Sequence, residues 1–157
     1  MPTLDQIRAA IKTTLAGVSG IGTVHDYERF AKEVAKFREF YLSGSATNQR
    51  LLGWNIRRTA RSERLVDTGR HYVDNTWRIR GLMAIDDADE SEKLLDNLVE
   101  SARDAFIADD TLGNVVATCN TGRGEAVGLQ MTDSGPVMFS GVLCHMVNCR
   151  LTTRHYT

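Results

Sequence analysis

The sequence predicts an α/β fold of the α+β kind, with a mixed, mainly antiparallel sheet and helices packed on one face. The first observation behind this prediction is a strand with one buried face. In the 157-residue chain, apolar side chains alternate at Trp77, Ile79, Met83 and Ile85. Side chains of a strand point alternately to its two faces, so this spacing buries one face and leaves the arginines between these positions on the other.

The second observation is a helical pattern that follows this strand after the acidic run of residues 86–90. Apolar residues recur there at three- and four-residue steps, at Leu94, Leu95, Leu98, Ala102 and Phe106. Such steps place the side chains on one face of a helix, which needs a sheet to pack against. Asp89 and Glu92 have the spacing of a capping box, so we expect them to begin the helix. Truncation should cost most stability at Trp77, Ile79, Leu94, Leu98 and Phe106.

The N-terminal elements are predicted from similar signals. A first helix begins at Thr3, with Gln6 as its capping partner, and ends near Gly17. A short strand follows over residues 20–25, and Asp26 is expected to cap a second helix. The apolar face of that helix consists of Phe30, Val34, Phe37 and Tyr41.

The rest of the chain is predicted to be mainly strand. One strand begins near residue 51, and another covers residues 115–119, with a return through Gly122, Gly124, Gly128 and Leu129. Residues 142–153 form a long final strand. Apart from the N-terminal helix, this order predicts a split βαβ core with an added C-terminal hairpin, both helices on one face, and a single domain over residues 1–157.

The segment of residues 57–70 has five arginines and little apolar periodicity. It is either the end of a long hairpin arm or a mobile loop, and the sequence leaves both open. Trp54 and Trp77 lie among arginines and could stack nucleic-acid bases, but the RNP1 pattern of RNA-recognition domains is missing. Because each tryptophan shares a strand face with an isoleucine, we expect both in the core.

Catalytic, cofactor and metal sites are not predicted. The glycine-rich residues 17–22 precede a strand and lack the Lys-Ser/Thr of a phosphate loop. Cys144 would face away from His145 and Cys149 on a strand, and zinc would need a fourth ligand. The carboxylate pairs 86–87 and 109–110 suit helix ends, and no nucleophile motif accompanies them, so we expect no enzyme and no cofactor.

Composition is ordinary for a soluble protein, with 42% hydrophobic and 25% charged residues and a net charge of −1. No apolar run approaches the ~20 residues of a membrane span, so we expect no membrane partner. The three cysteines are odd in number and lack CxxC spacing, which favours reduced thiols in the cytosol.

The charges are strongly segregated along the chain. Residues 50–80 hold eight arginines against three carboxylates, and residues 86–110 hold ten carboxylates against one lysine and one arginine. This division favours a self-associating surface in which the basic and acidic parts of different copies meet. The candidate interface residues are Arg57, Arg58, Arg61, Arg64, Arg70, Arg78, Arg80, Asp86, Asp87, Asp89, Glu92, Asp96 and Glu100.

Three stretches, with the order of elements, carry a resemblance to a known family. They are residues 23–30 (TVHDYERF), residues 76–87 (TWRIRGLMAIDD) and the helix of residues 91–107. The chain resembles the tail terminator, or tail completion, proteins of tailed bacteriophages. That resemblance implies a small α/β subunit of the virion, assembled in the host cytoplasm, that forms a ring with copies of itself, usually of six. The ring stops growth of the tail tube at its head-proximal end and joins the tail to the head.

The resemblance implies no catalytic residue and no cofactor. It implies contact with the tail tube protein, with the head–tail connector or neck protein, and with DNA that crosses the lumen. A closed ring needs an interface between two different surfaces of the subunit. We therefore expect residues 57–70, with Arg78 or Arg80, to reach the acidic residues 86–100 of the neighbour, or to line the lumen. Residues 112–135 have no counterpart in the resemblance and could project toward the tube or the connector.

Three alternatives stay open. The charges could pair within one chain, where exposed ion pairs contribute only ~0–1 kcal/mol each. The protein could be a neck or head-to-tail connector subunit, which uses similar rings. It could also be a nucleic-acid-binding domain, which the arginine cluster alone supports.

Overall fold

The structure is a computed structural model and describes residues 1–45, 47–121 and 127–157. It has the mixed α+β fold expected, with a mainly antiparallel six-stranded sheet. The helices are α1 (Leu4–Ala16), α2 (Val34–Glu39) and α3 (Ser91–Ala108). The strands are β1 (Thr23–His25), β2 (Leu42–Ser43), β3 (Arg50–Asp67), β4 (Arg70–Ala84), β5 (Gln130–Phe139) and β6 (Val142–Tyr156).

The strand order differs in one respect from the split βαβ arrangement. The sheet runs β1-β3-β4-β6-β5, with β2 paired to β3, and β1 lies directly beside β3 as its parallel neighbour. No strand separates the two, because β4 is paired along its length with β3 on one side and β6 on the other. The short β1 therefore occupies an edge of the sheet. The C-terminal hairpin of β5 and β6 is present as predicted.

The helices cover both faces of the sheet, which corrects the prediction of a single covered face. Helices α1 and α3 pack on the face that carries Trp54 and Trp77, both fully buried. Phe37 of α2 belongs instead to a second cluster, with Tyr41 and Leu82. Leu51 and Leu82 alternate with Leu52 and Met83 of the first cluster, so the second cluster lies on the opposite face.

Helix α2 is much shorter than the sequence suggested. Residues 26–33 are not helical, and α2 begins after Glu33 without a side-chain cap, so Asp26 caps no helix. Phe30 is 71% exposed. The carboxylate of Glu28 forms ion pairs with Arg57 and Arg78 on the sheet, which holds this segment against the strands instead of in a helix.

Helix α3 begins at Ser91, but its N-cap is Glu90 and not Asp89, and the predicted capping box of Asp89 and Glu92 is absent. Its N-cap, Glu90, has a φ of 52° and makes no side-chain hydrogen bond to the helix. Apolar packing, not the capping signal, sets the rotation of this helix. Its buried residues are Ser91, Leu95, Val99, Ala102 and Phe106. Leu94 is 39% exposed and is not a core position, and Leu98 is half-buried.

Residues 57–70 belong to a hairpin arm, the first of the two alternatives. Strands β3 and β4 remain paired out to Asp67 and Arg70. Strand β6 runs beside β4 as far as Tyr72 and Tyr156, so the arm is supported by three strands over most of its length. The paired final strand therefore extends beyond its predicted end.

In the described part of the segment after α3, residues 109–121 form no regular strand and pack against the core. Residues 115–119 contain only an isolated bridge from Thr118 to Arg154, while Leu112 and Val116 are buried in the core. Asp109 shapes this turn by accepting hydrogen bonds from the backbone N–H groups of Thr111 and Gly113. The predicted return through Gly122 and Gly124 lies outside the described residues.

The first helix and the tryptophans agree with the sequence predictions. The capping box of α1 is complete, with Gln6 N–H donating to Thr3 Oγ1 at 3.2 Å and Thr3 N–H to Gln6 Oε1 at 2.8 Å. The indole N–H groups donate to buried acceptors, at 2.7 Å for Trp54 and 2.9 Å for Trp77. In the described ranges, no helix is both long and apolar enough to cross a membrane.

Candidate functional site

The arginines of residues 58–70 and the acidic candidate residues lie at opposite ends of the sheet. Strand β4 begins in the arm at Arg70 and ends at Ala84, immediately before the acidic residues 86–90. At about 3.3 Å per residue, these two ends of the strand are roughly 45 Å apart. We call residues 57–70 the basic arm and residues 86–100 the acidic end. The length of the strand prevents the tip of the basic arm from reaching the acidic end of its own chain.

The basic arm is exposed, and in the described structure its arginines beyond Arg57 form ion pairs only with residues of the arm itself. Arg58, Arg61, Arg64 and Arg70 are all exposed. Arg61 forms an ion pair with Glu63 at 2.8 Å, and Arg70 pairs with Asp67 at 2.7 Å. Near the tip, Leu65 and Val66 are also exposed, by 67% and 47%. The arm thus presents cations together with an apolar tip.

The acidic end has a matching combination of charge and apolar surface. All six of its candidate residues are exposed: Asp86, Asp87, Asp89, Glu92, Asp96 and Glu100. Ile85 N–H donates to Leu143 O at 3.2 Å, which fixes the β5–β6 hairpin beside the acidic turn. On that hairpin Met138 and Leu143 are 64% and 51% exposed. No ion pair within the described ranges joins this end to a basic-arm arginine.

Arg78 and Arg80 are not at the acidic end or the arm tip. They lie with Arg57 on the face of the sheet that also carries Leu82 and α2. All three guanidinium groups approach the carboxylate of Glu28, at 3.2 Å from Arg57, 3.1 Å from Arg78 and 3.9 Å from Arg80. Arg80 Nε also donates to Asn148 Oδ1 at 3.0 Å. One carboxylate therefore faces three cations.

The register of the sheet adds an arginine that the sequence analysis did not select. Arg57 on β3 lies opposite Arg78 on β4, and Arg78 lies opposite Arg150 on β6. We call these three residues the arginine row. Strand pairing decides which residues of distant segments are neighbours, so sequence spacing alone could not have identified Arg150. The one indication in the local sequence is that Arg150 is a charged residue between the apolar Cys149 and Leu151, which places its side chain on the other strand face.

The pKa of Arg78 reflects its partial burial and the positive charges that surround it. Partial burial lowers the pKa of its guanidinium, and the charges of Arg80 and Arg57 lower the pKa further, while Glu28 opposes the shift. Arg78 Nε is buried and has no hydrogen-bond partner among the described residues. The group stays charged at neutral pH, so the row holds closely spaced positive charges that are only partly compensated.

A second arrangement missed from the sequence connects Ser91 with His145. Ser91 Oγ lies 2.8 Å from His145 Nε2 and accepts a hydrogen bond from Asp86 N–H at 2.9 Å. A Ser–His contact can support nucleophilic catalysis when the hydroxyl is accessible to substrate. Ser91 is only 1% exposed, so this contact anchors the start of α3 to β6 and to the acidic turn.

The cysteines occupy core positions on both faces of the sheet. Cys119, Cys144 and Cys149 are buried and not in disulfides. Burial raises the pKa of the Cys119 and Cys149 thiols to about 12. Within the described part of the chain, no three His, Cys, Asp or Glu side chains converge as a metal site would require.

Comparison with known proteins assigns no family. Neither a protein-family model nor a curated protein matches the chain. The function is therefore inferred from the charged surfaces of the domain.

Proposed function

We propose that this protein is a structural subunit of a bacteriophage virion, of the tail terminator (tail completion) kind. It assembles into a ring at the head-proximal end of the tail tube, stops tube growth and presents the surface that joins the head. Its partners are copies of itself, the tail tube protein and the connector or neck protein. It acts by binding and catalyses no reaction.

The observation that carries this proposal is the separation of the basic arm from the acidic end by the length of β4. A ring forms when one surface of each subunit binds a different surface of the next. Two complementary surfaces at opposite ends of an elongated sheet have the placement that this contact requires. A symmetric dimer would instead pair both surfaces of each subunit with the opposite surfaces of one partner, and its mass in solution distinguishes it from a ring.

Apolar side chains support the same pairing. Leu65 and Val66 are exposed at the arm tip, and Met138 and Leu143 are exposed beside the acidic end. Interfaces combine buried apolar contacts with a polar rim. Burying these four side chains between subunits would remove apolar surface from water, at about 25 cal/mol per Å².

Pairing of the charges within one chain gives a weaker account of the same pattern. The ion pairs of the arm, Arg61 with Glu63 and Arg70 with Asp67, join nearby residues of the hairpin. Such exposed pairs contribute only ~0–1 kcal/mol each. They leave the concentration of carboxylates at the far end of the sheet unexplained.

Charge reversal tests the proposal. The purified protein is expected to form rings, seen by negative-stain imaging and by its mass in solution. Replacing Arg61 and Arg64 by glutamate should abolish the rings, as should replacing Asp87 and Glu92 by lysine, because each change places like charges across the interface. Combining the four changes should restore ring formation.

A matched control reverses two exposed lysines that lie outside residues 57–70 and 86–100. Lys32→Glu with Lys36→Glu changes the net charge as Arg61→Glu with Arg64→Glu does, and should leave ring formation intact. Reversal at Arg57 and Arg58 should also reduce assembly. A protein that stays monomeric at every concentration and neither caps tail tubes nor binds a capsid partner would refute the proposal. Rings that join heads but fail to cap tubes would instead identify a neck subunit.

A further inference from the structure

The arginine row places like charges directly opposite each other on neighbouring strands. Arg57, Arg78 and Arg150 occupy one register position across β3, β4 and β6. Side chains in such positions are about 4.5–5.5 Å apart at Cβ, and like charges there destabilise a sheet. The mutual repulsion of these arginines opposes folding, and an anionic ligand on this surface would relieve it.

Another arginine on the same face, Arg154, is instead neutralised by a carboxylate on the neighbouring strand. Arg154 lies four residues beyond Arg150 on β6, opposite Asp74 on β4. Arg154 Nε and Nη2 donate to the two carboxylate oxygens of Asp74 at 2.7 and 2.8 Å. The residue opposite Arg150 on β4 is Arg78, whereas the residue opposite Arg154 is Asp74.

Compensation of the row is incomplete. Glu28 is the carboxylate that contacts Arg57, Arg78 and Arg80 in the described structure, and it is shared by all three. Asp133 lies in register with Asn148 on the neighbouring strand but forms no ion pair in the described ranges. Several guanidinium groups therefore have donors available for an external oxyanion.

Exposed aromatic side chains lie in the segment that crosses this face. Tyr27 and Phe30, on either side of Glu28, are 54% and 71% exposed. The Phe30 ring is stacked on Phe37, with centroids 5.9 Å apart and planes at 27°. Arginines that contact phosphates beside exposed aromatic rings that stack on bases are the combination that binds single-stranded nucleic acid.

We propose that the arginine row, with Arg80, binds the phosphodiester backbone of single-stranded nucleic acid, and that Tyr27 and Phe30 stack on its unpaired bases. Glu28 competes with the phosphates for the same guanidinium groups and so weakens binding. This site shares Arg57 with the basic arm but is separate from the arm tip and the acidic end, so Arg150→Gln tests it independently of the ring interface. It does not depend on ring formation, and rings without nucleic-acid binding, or binding without rings, would separate the two proposals.

The test is fluorescence anisotropy of a labelled single-stranded oligonucleotide titrated with the protein at low salt. Binding should weaken with salt, with a log–log slope of about −0.7 for each phosphate contact. Arg150→Gln and Arg57→Gln should each weaken binding roughly three- to tenfold and reduce the magnitude of the slope by about 0.7.

Control variants separate this site from general charge effects. Arg103→Gln removes an exposed arginine from α3, on the opposite face of the sheet, and should leave binding unchanged. Tyr27→Ala and Phe30→Ala should weaken binding of the single strand more than binding of a duplex of the same sequence. Because Arg150→Gln removes a like-charge contact, its free energy of unfolding should be equal to or above that of the unmodified protein.

The inference is overturned by any of the following results. These are no binding at low salt, equal loss of binding in Arg103→Gln and Arg150→Gln, equal affinity for single strand and duplex, or competition by polyglutamate as strong as by unlabelled oligonucleotide. The last result would identify an acidic protein partner instead. Unfolding caused by both Arg57→Gln and Arg150→Gln would show that the row is structural.

Discussion

Gly81 on β4 lies against the indole of its register partner Trp54 on β3, so closely that a Cβ at Gly81 would be 2.5 Å from Trp54 Cζ3. The indole cannot withdraw easily, because Trp54 is fully buried and its Nε1 donates to Ile21 O at 2.7 Å. Gly81→Ala should therefore lower the free energy of unfolding by about 1–3 kcal/mol through overpacking. Chemical denaturation followed by tryptophan fluorescence measures the change.

A second glycine provides the control for this substitution. A Cβ at Gly135 on β5 would meet no heavy atom within 4 Å. Gly135→Ala should leave stability unchanged or raise it slightly, because it restricts the unfolded chain. Equal losses for the two variants would contradict the packing explanation.

The hydrogen bonds of Ser91 predict a second stability effect. Its buried hydroxyl joins Asp86 N–H to His145 Nε2 at the start of α3. Ser91→Ala should lower the free energy of unfolding by about 1–3 kcal/mol, since it leaves polar groups without partners. Ser101→Ala, at an exposed position of the same helix, should change it by less than about 0.5 kcal/mol. Similar effects for the two serines would refute the anchoring role of Ser91.

His155 near the arm predicts a loss of stability in mild acid. The residue is 8% exposed, and burial, with the charge of Arg61, lowers the pKa of its imidazole below the ordinary value of 6.5. The neutral form is favoured in the folded state, so this contribution is fully present above about pH 6.5. It is lost as the pH falls through the lowered pKa. Denaturation midpoints measured at about pH 7 and about pH 5 will detect the loss.

Other groups also titrate in this range, so a variant is needed to isolate His155. In His155→Asn the ionisable ring is absent, and the decrease in stability between the two pH values should be smaller than in the unmodified protein. An unchanged pH dependence would assign the acid sensitivity to titratable groups other than His155.

The buried thiols predict resistance to alkylation and a loss of stability in strong alkali. Burial holds the pKa of Cys119 and Cys149 at about 12, above the ordinary value of 9.0. Their contribution to stability is present below about pH 9 and is lost as the pH rises through about 12. At pH near 8, mass spectrometry should find no alkylated thiol in the folded protein and three in denaturant. Rapid modification of one cysteine in the folded protein would contradict this burial.

Local patterns anticipated the elements whose signals do not depend on distant contacts. The capping box of Thr3 and Gln6 formed as predicted, because its two hydrogen bonds join residues three positions apart. Alternation placed Trp77 and Ile79 on a buried strand face. At α2 and the start of α3 the same kind of reasoning failed, because ion pairs of Glu28 with distant strands and packing of α3 on the sheet outweighed helical spacing and capping.

The sequence by itself determined the α+β class, the core tryptophans and the division of charge, because periodicity, residue volume and charge are properties of local segments. Only the tertiary structure decided that residues 57–70 form a hairpin arm, that the arm tip lies far from the acidic end, and that Arg150 joins Arg57 and Arg78. Those relationships depend on strand register. Register is set by pairing between segments as distant as β4 and β6, and a one-residue shift would exchange the two faces of the sheet.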